Sequence, residues 1–202
     1  MTVTISRLYD TYADAQKAVD RLETAGVPHS DISIVANNSE GWYDGKKDRD
    51  GDGVDDRAEA AGTGAGVGAG LGGAAGLLAG LGLLAIPGLG PVVAAGWLAA
   101  TAVGAAAGAA TGGLVGALTE AGVSKDEAPL YAEGVRRGGT LVSAKVADAD
   151  RTRLDALLNP SSVNLSDRKA AWTKSGWTGY DPAGQPYGAD QVRKERDLYG
   201  TR

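Results

Sequence analysis

The sequence reads Ile86-Pro87-Gly88-Leu89-Gly90-Pro91 near the middle of an uncharged stretch of sixty residues. This stretch, residues 60–119, contains no Asp, Glu, Lys, Arg, His, Asn or Gln. Proline removes a backbone donor, and glycine allows the dihedral angles that a tight reversal needs. The sequence therefore predicts a hairpin of two apolar helices over residues 60–119, with the chain reversing at this turn.

Glycine recurs at every fourth position in both arms of the predicted hairpin. A spacing of four places a stripe without side chains on one face of a helix. Each helical glycine costs roughly 0.8–1.0 kcal/mol relative to alanine, so the stripe has to pack against something. Small residues at this spacing let two helix backbones approach closely, as in a glycine zipper. The predicted helix-packing residues are Gly64, Gly68, Gly72, Gly76, Gly80, Gly104, Gly108, Gly112 and Gly116.

The glycine stripes could pack in either of two environments, a membrane or a soluble assembly. Each arm of about 26–28 residues is long enough to cross the roughly 30 Å hydrocarbon core of a membrane. The turn is uncharged while lysines and arginines flank both ends, which agrees with the positive-inside rule. The other reading is a soluble homo-oligomer in which the hairpins pack against neighbouring copies and form the core of a shell or filament. The sequence favours the membrane and leaves the soluble assembly open.

The residues on either side of the hairpin alternate between strand and helix patterns. β-Branched residues over 2–9, 32–38 and 140–147 predict strands. Helices are predicted after a cap at Asp10 or Thr11, after Ser124 and over 148–158. The fold class is therefore α+β, with a small split sandwich domain of order β-α-β before the hairpin and α-β-α after it. The predicted divisions are residues 1–38 and 120–159 for the two halves, 39–59 for an acidic linker, 60–119 for the hairpin and 160–202 for a C-terminal arm.

The acidic linker matches the D-x-D-x-D-G spacing of a calcium-binding loop, with an acid at the twelfth position. Calcium prefers six to eight oxygen ligands, which this spacing supplies. Asp55 departs from an EF-hand, where the eighth position is aliphatic, so the stretch resembles a single thrombospondin-type or dockerin-like loop. The alternative is a solvated linker that follows the spacing by chance. The candidate ligands of Ca²⁺ are Asp48, Asp50, Asp52, the Val54 carbonyl, Asp56 and Glu59.

The C-terminal arm combines aromatic residues with proline and glycine. The sequence of the arm predicts two short helices, near 167–174 and 189–199. Tryptophan and tyrosine in such an arm supply contact area for a partner surface or a neighbouring subunit. Packing on the arm's own domain explains the same residues equally well. The aromatic residues are Trp172, Trp177, Tyr180, Tyr187 and Tyr199.

Composition narrows the classes of function. A formal net charge of −5 over 202 residues argues against nucleic-acid binding, which needs a basic surface. The absence of cysteine removes disulfides and thiolate chemistry, and the single histidine, His29, has no partner ligand in sequence. The first six residues lack the basic region and apolar run of a secretory signal. We therefore expect a non-enzymatic protein made in the cytoplasm.

Three stretches resemble the bacterial general stress protein 17M-like (YflT-type) family. They are Ser6-Arg7-Leu8-Tyr9, the run from Ala25-Gly26-Val27 to Ile34-Val35-Ala36, and Tyr131-Ala132-Glu133-Gly134-Val135-Arg136-Arg137-Gly138-Gly139-Thr140-Leu141-Val142. The glycine-rich centre agrees by composition, whereas the calcium-like loop is not part of the family pattern. The resemblance implies a bacterial, stress-associated protein of undefined biochemical activity, with a central hairpin often described as a membrane segment, and it supplies no catalytic residues.

These observations predict a stress-associated protein that assembles with copies of itself through the hairpin. We expect it at the cytoplasmic side of the bacterial inner membrane, with a soluble cytoplasmic assembly as the alternative. The expected partners are further copies of the chain and membrane lipid, and the arm could dock on a neighbouring subunit.

Overall fold

The computed structural model describes residues 1–43, 81–86, 88–106 and 113–199. Within these ranges five strands form a sheet in the order β1-β5-β2-β4-β3, and every neighbouring pair is antiparallel. The strands are β1 (Thr2–Tyr9), β2 (Ile32–Asn37), β3 (Gly82–Ile86), β4 (Gly90–Gly96) and β5 (Thr140–Ala147).

Helices cover both faces of this sheet. α1 and α5 pack on one face, and α2, α3 and α4 pack on the other. The remaining two helices, α6 and α7, belong to the C-terminal arm. The bounds are α1 (Tyr12–Thr24), α2 (Trp97–Ala106), α3 (Gly113–Glu120), α4 (Ala128–Arg136), α5 (Arg151–Leu158), α6 (Leu165–Lys174) and α7 (Ala189–Leu198).

The period of two along each strand divides the apolar side chains between two cores. Ile34 and Val142 face α1 and α5, while their neighbours Val35 and Leu141 face the opposite layer. All four side chains are completely buried. Burying one such side chain contributes roughly 1.5–3 kcal/mol, so the two cores fix which face each strand presents to each helix layer.

The elements outside the centre agree with the sequence. All three predicted outer strands are present, and α1 begins at the predicted cap, where the Thr11 hydroxyl accepts a hydrogen bond from Asp14 N. Gly26 ends that helix with φ +90°, a conformation that glycine adopts without strain. The α+β fold class is therefore correct.

The prediction for the centre is wrong where the structure describes it. The turn at Gly88–Leu89 joins two strands rather than two helices, and Leu89 N donates to Ile86 O at 3.0 Å. β4 lies between β2 and β3, so both of its backbone edges are paired inside the sheet. Short apolar runs bounded by glycine and proline also suit fully buried strands. Residues 82–96 thus complete the sheet instead of forming an inserted helical hairpin.

The helices that follow are short. α2 has 10 residues and α3 has 8. Among the residues that the structure describes, no helix is long and apolar enough to cross a membrane. The first arm of the predicted hairpin lies mostly outside the described residues.

Tyr43 and Leu81, the described residues on either side of positions 44–80, lie next to each other. The hydroxyl of Tyr43 donates to the carbonyl oxygen of Leu81 at 2.8 Å. The Asn38 amide fixes Tyr43 from the other side, with Nδ2 bonded to Tyr43 O and Oδ1 to Tyr43 N, both at 3.0 Å. These hydrogen bonds therefore join the segment after β2 to the residue before β3.

Gly96 is the glycine whose replacement should damage the sheet most clearly. It has φ +81°, and a Cβ there would collide with the carbonyl oxygen of Ile32 on the neighbouring strand. Gly122 has φ +94° but open space around the Cβ position. We expect Gly122→Ala to cost about 1–2 kcal/mol of unfolding free energy from backbone strain alone. Gly96→Ala should cost about 1–3 kcal/mol more, because a backbone atom must also move.

Urea denaturation of the two glycine variants measures this difference. Equal losses would contradict the close approach of β4 to β2 at Gly96.

Candidate functional site: a buried arginine cluster beneath the C-terminal arm

Helix α4 ends in a glycine turn that directs two arginines into the interior. Gly138 has φ +107°, and Gly139 N donates to Gly134 O at 2.9 Å, which closes the helix. Gly134 itself contacts the Leu8 side chain so closely that a Cβ would collide with it. The helix thus lies tight against β1, and Arg136 and Arg137 come at its last turn.

The carboxylate of Glu133 holds both arginines. Its side chain is completely buried, and Arg136 Nη2 lies 2.8 Å from Oε1 and 2.6 Å from Oε2. Arg137 Nε approaches Oε1 at 2.5 Å. Positions i+3 and i+4 lie on the same face of a helix as position i, so one acid can meet both arginines. A buried carboxylate needs this compensation, because an isolated charge in the interior is costly.

The C-terminal arm supplies a second carboxylate to the same cluster. Glu195 Oε1 accepts a hydrogen bond from Arg137 Nη1 at 3.0 Å and another from the indole Nε1 of Trp172 at 2.8 Å. Glu195 is 8 % exposed and Trp172 is 1 % exposed. Both arm helices are therefore joined to α4 through one oxygen atom.

Aromatic rings of the arm surround the two guanidinium groups. Arg136 lies 5.7 Å from the ring centroid of Tyr180 and 5.5 Å from that of Tyr187. Arg137 lies 5.0 Å from Trp172 and 5.2 Å from Tyr187. Cations within about 6 Å of a ring centroid are attracted to the ring face, and more strongly where water is excluded.

The charges around Arg137 keep it protonated. Burial acts to lower the pKa of its guanidinium, but the hydrogen bond to Glu133 and the charges of Glu133 and Glu195 outweigh burial and raise the pKa. Burial also raises the pKa of the Tyr180 and Tyr187 hydroxyls above the usual range. Arg137 therefore stays charged, and the hydroxyls of Tyr180 and Tyr187 stay neutral, across the physiological pH range.

Two further arginines of the arm reach the same end of the sheet. Arg168 Nη2 pairs with Asp10 Oδ2 at 2.8 Å, and Arg168 Cζ lies 3.6 Å from the ring centroid of Tyr199. Arg196 pairs with Glu40 and donates to Gly138 O at 3.1 Å. Asp10 and Glu40 follow the ends of β1 and β2, so the arm is bound where these strands finish.

This arrangement is suited to holding the arm. The cavity beside the cluster has a volume of about 10 Å³, which is room for roughly one water molecule. Each guanidinium group in the cluster already contacts a carboxylate. The geometry therefore describes an anchor made of ion pairs and stacked rings.

The residues predicted from sequence to form sites lie elsewhere. Every candidate calcium ligand from Asp48 to Glu59 falls outside the described residues, as do Gly64, Gly68, Gly72, Gly76, Gly80, Gly108 and Gly112. Gly104 lies in α2 and Gly116 in α3, two helices that contact each other. Their role in packing between copies stays a prediction.

Sequence reasoning missed the arginine cluster, although it noticed the parts. In the sequence Arg136 and Arg137 stand out only as part of the stretch that resembles the YflT-type family. The sequence does contain a signal for this cluster. Glu133 lies three and four residues before Arg136 and Arg137, and Gly138 and Gly139 follow directly. The aromatic arm packs on its own domain in this chain, which is one of the two readings left open; docking on a neighbouring subunit stays a prediction.

The described residues define a small α+β domain with a C-terminal arm clamped across one end of its sheet. The family model of the heat induced stress protein YflT domain matches residues 4–82. The match is confined to that segment, and it supports the resemblance to the YflT-type stress proteins found in the sequence. Comparison with curated proteins and with solved structures found no significant match.

Removing the Glu133 carboxylate should destabilise the protein strongly. Glu133→Ala leaves two arginines buried without their shared partner, and breaking a buried pair in this way typically costs about 3–5 kcal/mol. Glu120→Ala, at the exposed end of α3, removes the same charge and should change the unfolding free energy by less than about 0.5 kcal/mol. Thermal and urea denaturation compare the two variants, and similar small losses would show that the cluster is not a stabilising anchor.

Proposed function

We propose that this chain is a non-enzymatic, stress-associated protein that assembles with copies of itself through the free edge of its sheet. The family match supports the association with stress. Self-assembly is supported by the difference between the two edge strands of the described sheet, β1 and β3.

The β1 edge is protected in two ways. Arg7 places a charge on the strand, and the arm covers the strand's end, where Val163 N donates to Leu8 O at 2.7 Å and Ser162 bridges Tyr9. Charged residues and covering segments are common means of preventing edge-to-edge pairing. This edge is therefore a poor site for association.

The β3 edge has neither protection within the described ranges. Its sequence is Gly-Leu-Leu-Ala-Ile, it carries no charge, and it pairs with β4 on one side. Leu83 is 47 % exposed, a large apolar side chain on the outermost strand. An apolar edge strand is a template for another strand. A second copy of β3 in antiparallel orientation would match it, with Leu84 opposite Leu84 across a two-fold axis.

We favour the scaffold-type assembly over a membrane-inserted hairpin. β4 is hydrogen-bonded to both β2 and β3, so the turn between β3 and β4 would have to leave the sheet in order to enter a bilayer. We therefore propose a cytoplasmic assembly, which is the alternative that the sequence left open, in place of the inner membrane. Cell fractionation with an alkaline carbonate wash tests it, and retention in the washed membrane would contradict this proposal.

Leu83→Lys should prevent self-association. Lysine on an edge strand introduces a charge that a paired copy would have to bury or repel. Leu198→Lys is the matched control, because Leu198 is 72 % exposed and lies in α7, away from β3. Size-exclusion chromatography with light scattering should give a multimer for the native chain and for Leu198→Lys, and a monomer for Leu83→Lys. A native chain that is monomeric at every concentration, or equal multimers for all three proteins, would contradict the proposal.

Calcium binding is a second proposal, and it rests on the spacing of Asp48, Asp50, Asp52, Asp56 and Glu59 in the sequence alone. Oxygen ligands at these intervals suit the coordination of Ca²⁺. Titration calorimetry of the full chain should give a binding isotherm that is lost in the Asp50→Asn/Asp52→Asn double variant. No heat from the native chain, together with an unchanged melting temperature in calcium, would rule out the site.

A further inference from the structure

The C-terminal arm crosses one end of the sheet and contacts it at separate points. α6 is fixed by Arg168 to Asp10, and α7 is fixed by Glu195 to Arg137 and by Arg196 to Glu40. The segment between the two helices lies on the β3–β4 turn. A Cβ on Gly88 would lie 2.5 Å from the carbonyl oxygen of Pro182, and one on Gly90 would lie 2.7 Å from Pro186 Cβ.

The contacts that hold the arm differ in kind from those of the rest of the fold. Trp172 and Val192 are the two hydrophobic residues of 165–198 that are buried, and neither belongs to the two cores of the domain. Partly buried Leu165 and Tyr180 pack against the core on the α4 side. Ion pairs, hydrogen bonds and stacked rings supply most of the remaining attachment. A segment with few buried apolar contacts belongs to the less stable part of a structure.

The connection between the arm and the domain provides a pivot. Ser161 has φ +63°, the only positive φ of a non-glycine residue among the residues described. The chain just before it is fixed to the domain, because Arg7 Nε donates to Asn159 Oδ1 at 3.1 Å and Arg21 Nη2 donates to Pro160 O at 3.4 Å. The domain therefore holds the chain at Asn159 and Pro160, immediately before the left-handed residue at which the arm begins.

We propose that residues 165–198 form a strap that opens and closes as one unit, with Glu195 as its latch. The latch is specific because one carboxylate oxygen joins Arg137 of the domain to Trp172 of the other arm helix. Losing that carboxylate therefore loosens α6 and α7 together. Opening uncovers the outer faces of Arg136 and Arg137 and the β3–β4 turn, while Glu133 still compensates both arginines. The domain itself stays folded because its two cores lie outside the strap.

Amide hydrogen exchange of the full chain, read segment by segment, tests this proposal. Glu195→Gln removes the latch charge, and Asp197→Asn is the matched control, because it makes the same charge change at an exposed position of the same helix. We expect Glu195→Gln to speed exchange throughout 165–198 by at least about tenfold, since hydrogen bonds to charged groups are strong. Exchange in β1, β2 and β5 should remain at the rate of the native chain and of Asp197→Asn.

A second variant tests whether the strap moves as a unit. Asp10→Asn weakens the contact to Arg168 at the α6 end by a change in the domain, and it leaves the stacking of Arg168 on Tyr199 in place. It should speed exchange in α7 as well as in α6. Faster exchange in α6 alone, exchange that rises equally in strap and sheet, or a Glu195→Gln protein indistinguishable from Asp197→Asn would each overturn the proposal.

Discussion

The carboxylate of Glu133 is completely buried, and a buried charge is tolerated only where opposite charges and hydrogen bonds compensate it. Arg136 and Arg137 provide that compensation from the next turn of the same helix. Their positions depend on the helix ending at Gly138, and Arg137 in turn attracts Glu195 from the far end of the chain. The position of the arm therefore depends on the buried charge of Glu133 in α4.

The sheet gives this cluster a fixed support. β5 lies between β1 and β2, so strands from the two ends of the chain meet directly. Gly134 lets α4 lie against β1, and Gly139 N closes the helix on Gly134 O just before β5 begins. The stretch from Tyr131 to Val142 thus has a physical explanation at each glycine. Its glycines allow close approach or a left-handed turn, and its charged residues form the buried cluster.

The sequence predicted the outer elements because their patterns are unambiguous. β-Branched alternation in β1 indicates a strand, and a capping residue at Asp10 or Thr11 before an amphipathic segment indicates α1; the structure shows Thr11 as the cap. The centre was harder, because Gly, Ala and Leu at four-residue spacing suit a packed helix, while the same short runs around Pro87 and Pro91 suit buried strands. β4 is buried on both faces, so it lacks the alternation that identifies a half-exposed strand. The pairing of Glu195 with Arg137 spans 58 residues and leaves no local pattern.

The position of the central hairpin matters most, because β3 is an edge strand of the described sheet only if Gly82–Ile86 and Gly90–Gly96 belong to that sheet. NMR of the full chain measures this directly through cross-strand backbone NOEs. We expect NOEs between β2 and β4 in the observed register, with Val35 opposite Ala94, together with extended-chain chemical shifts over Gly90–Gly96. Helical chemical shifts over these residues, with no NOE to β2, would contradict the account and restore the helical hairpin.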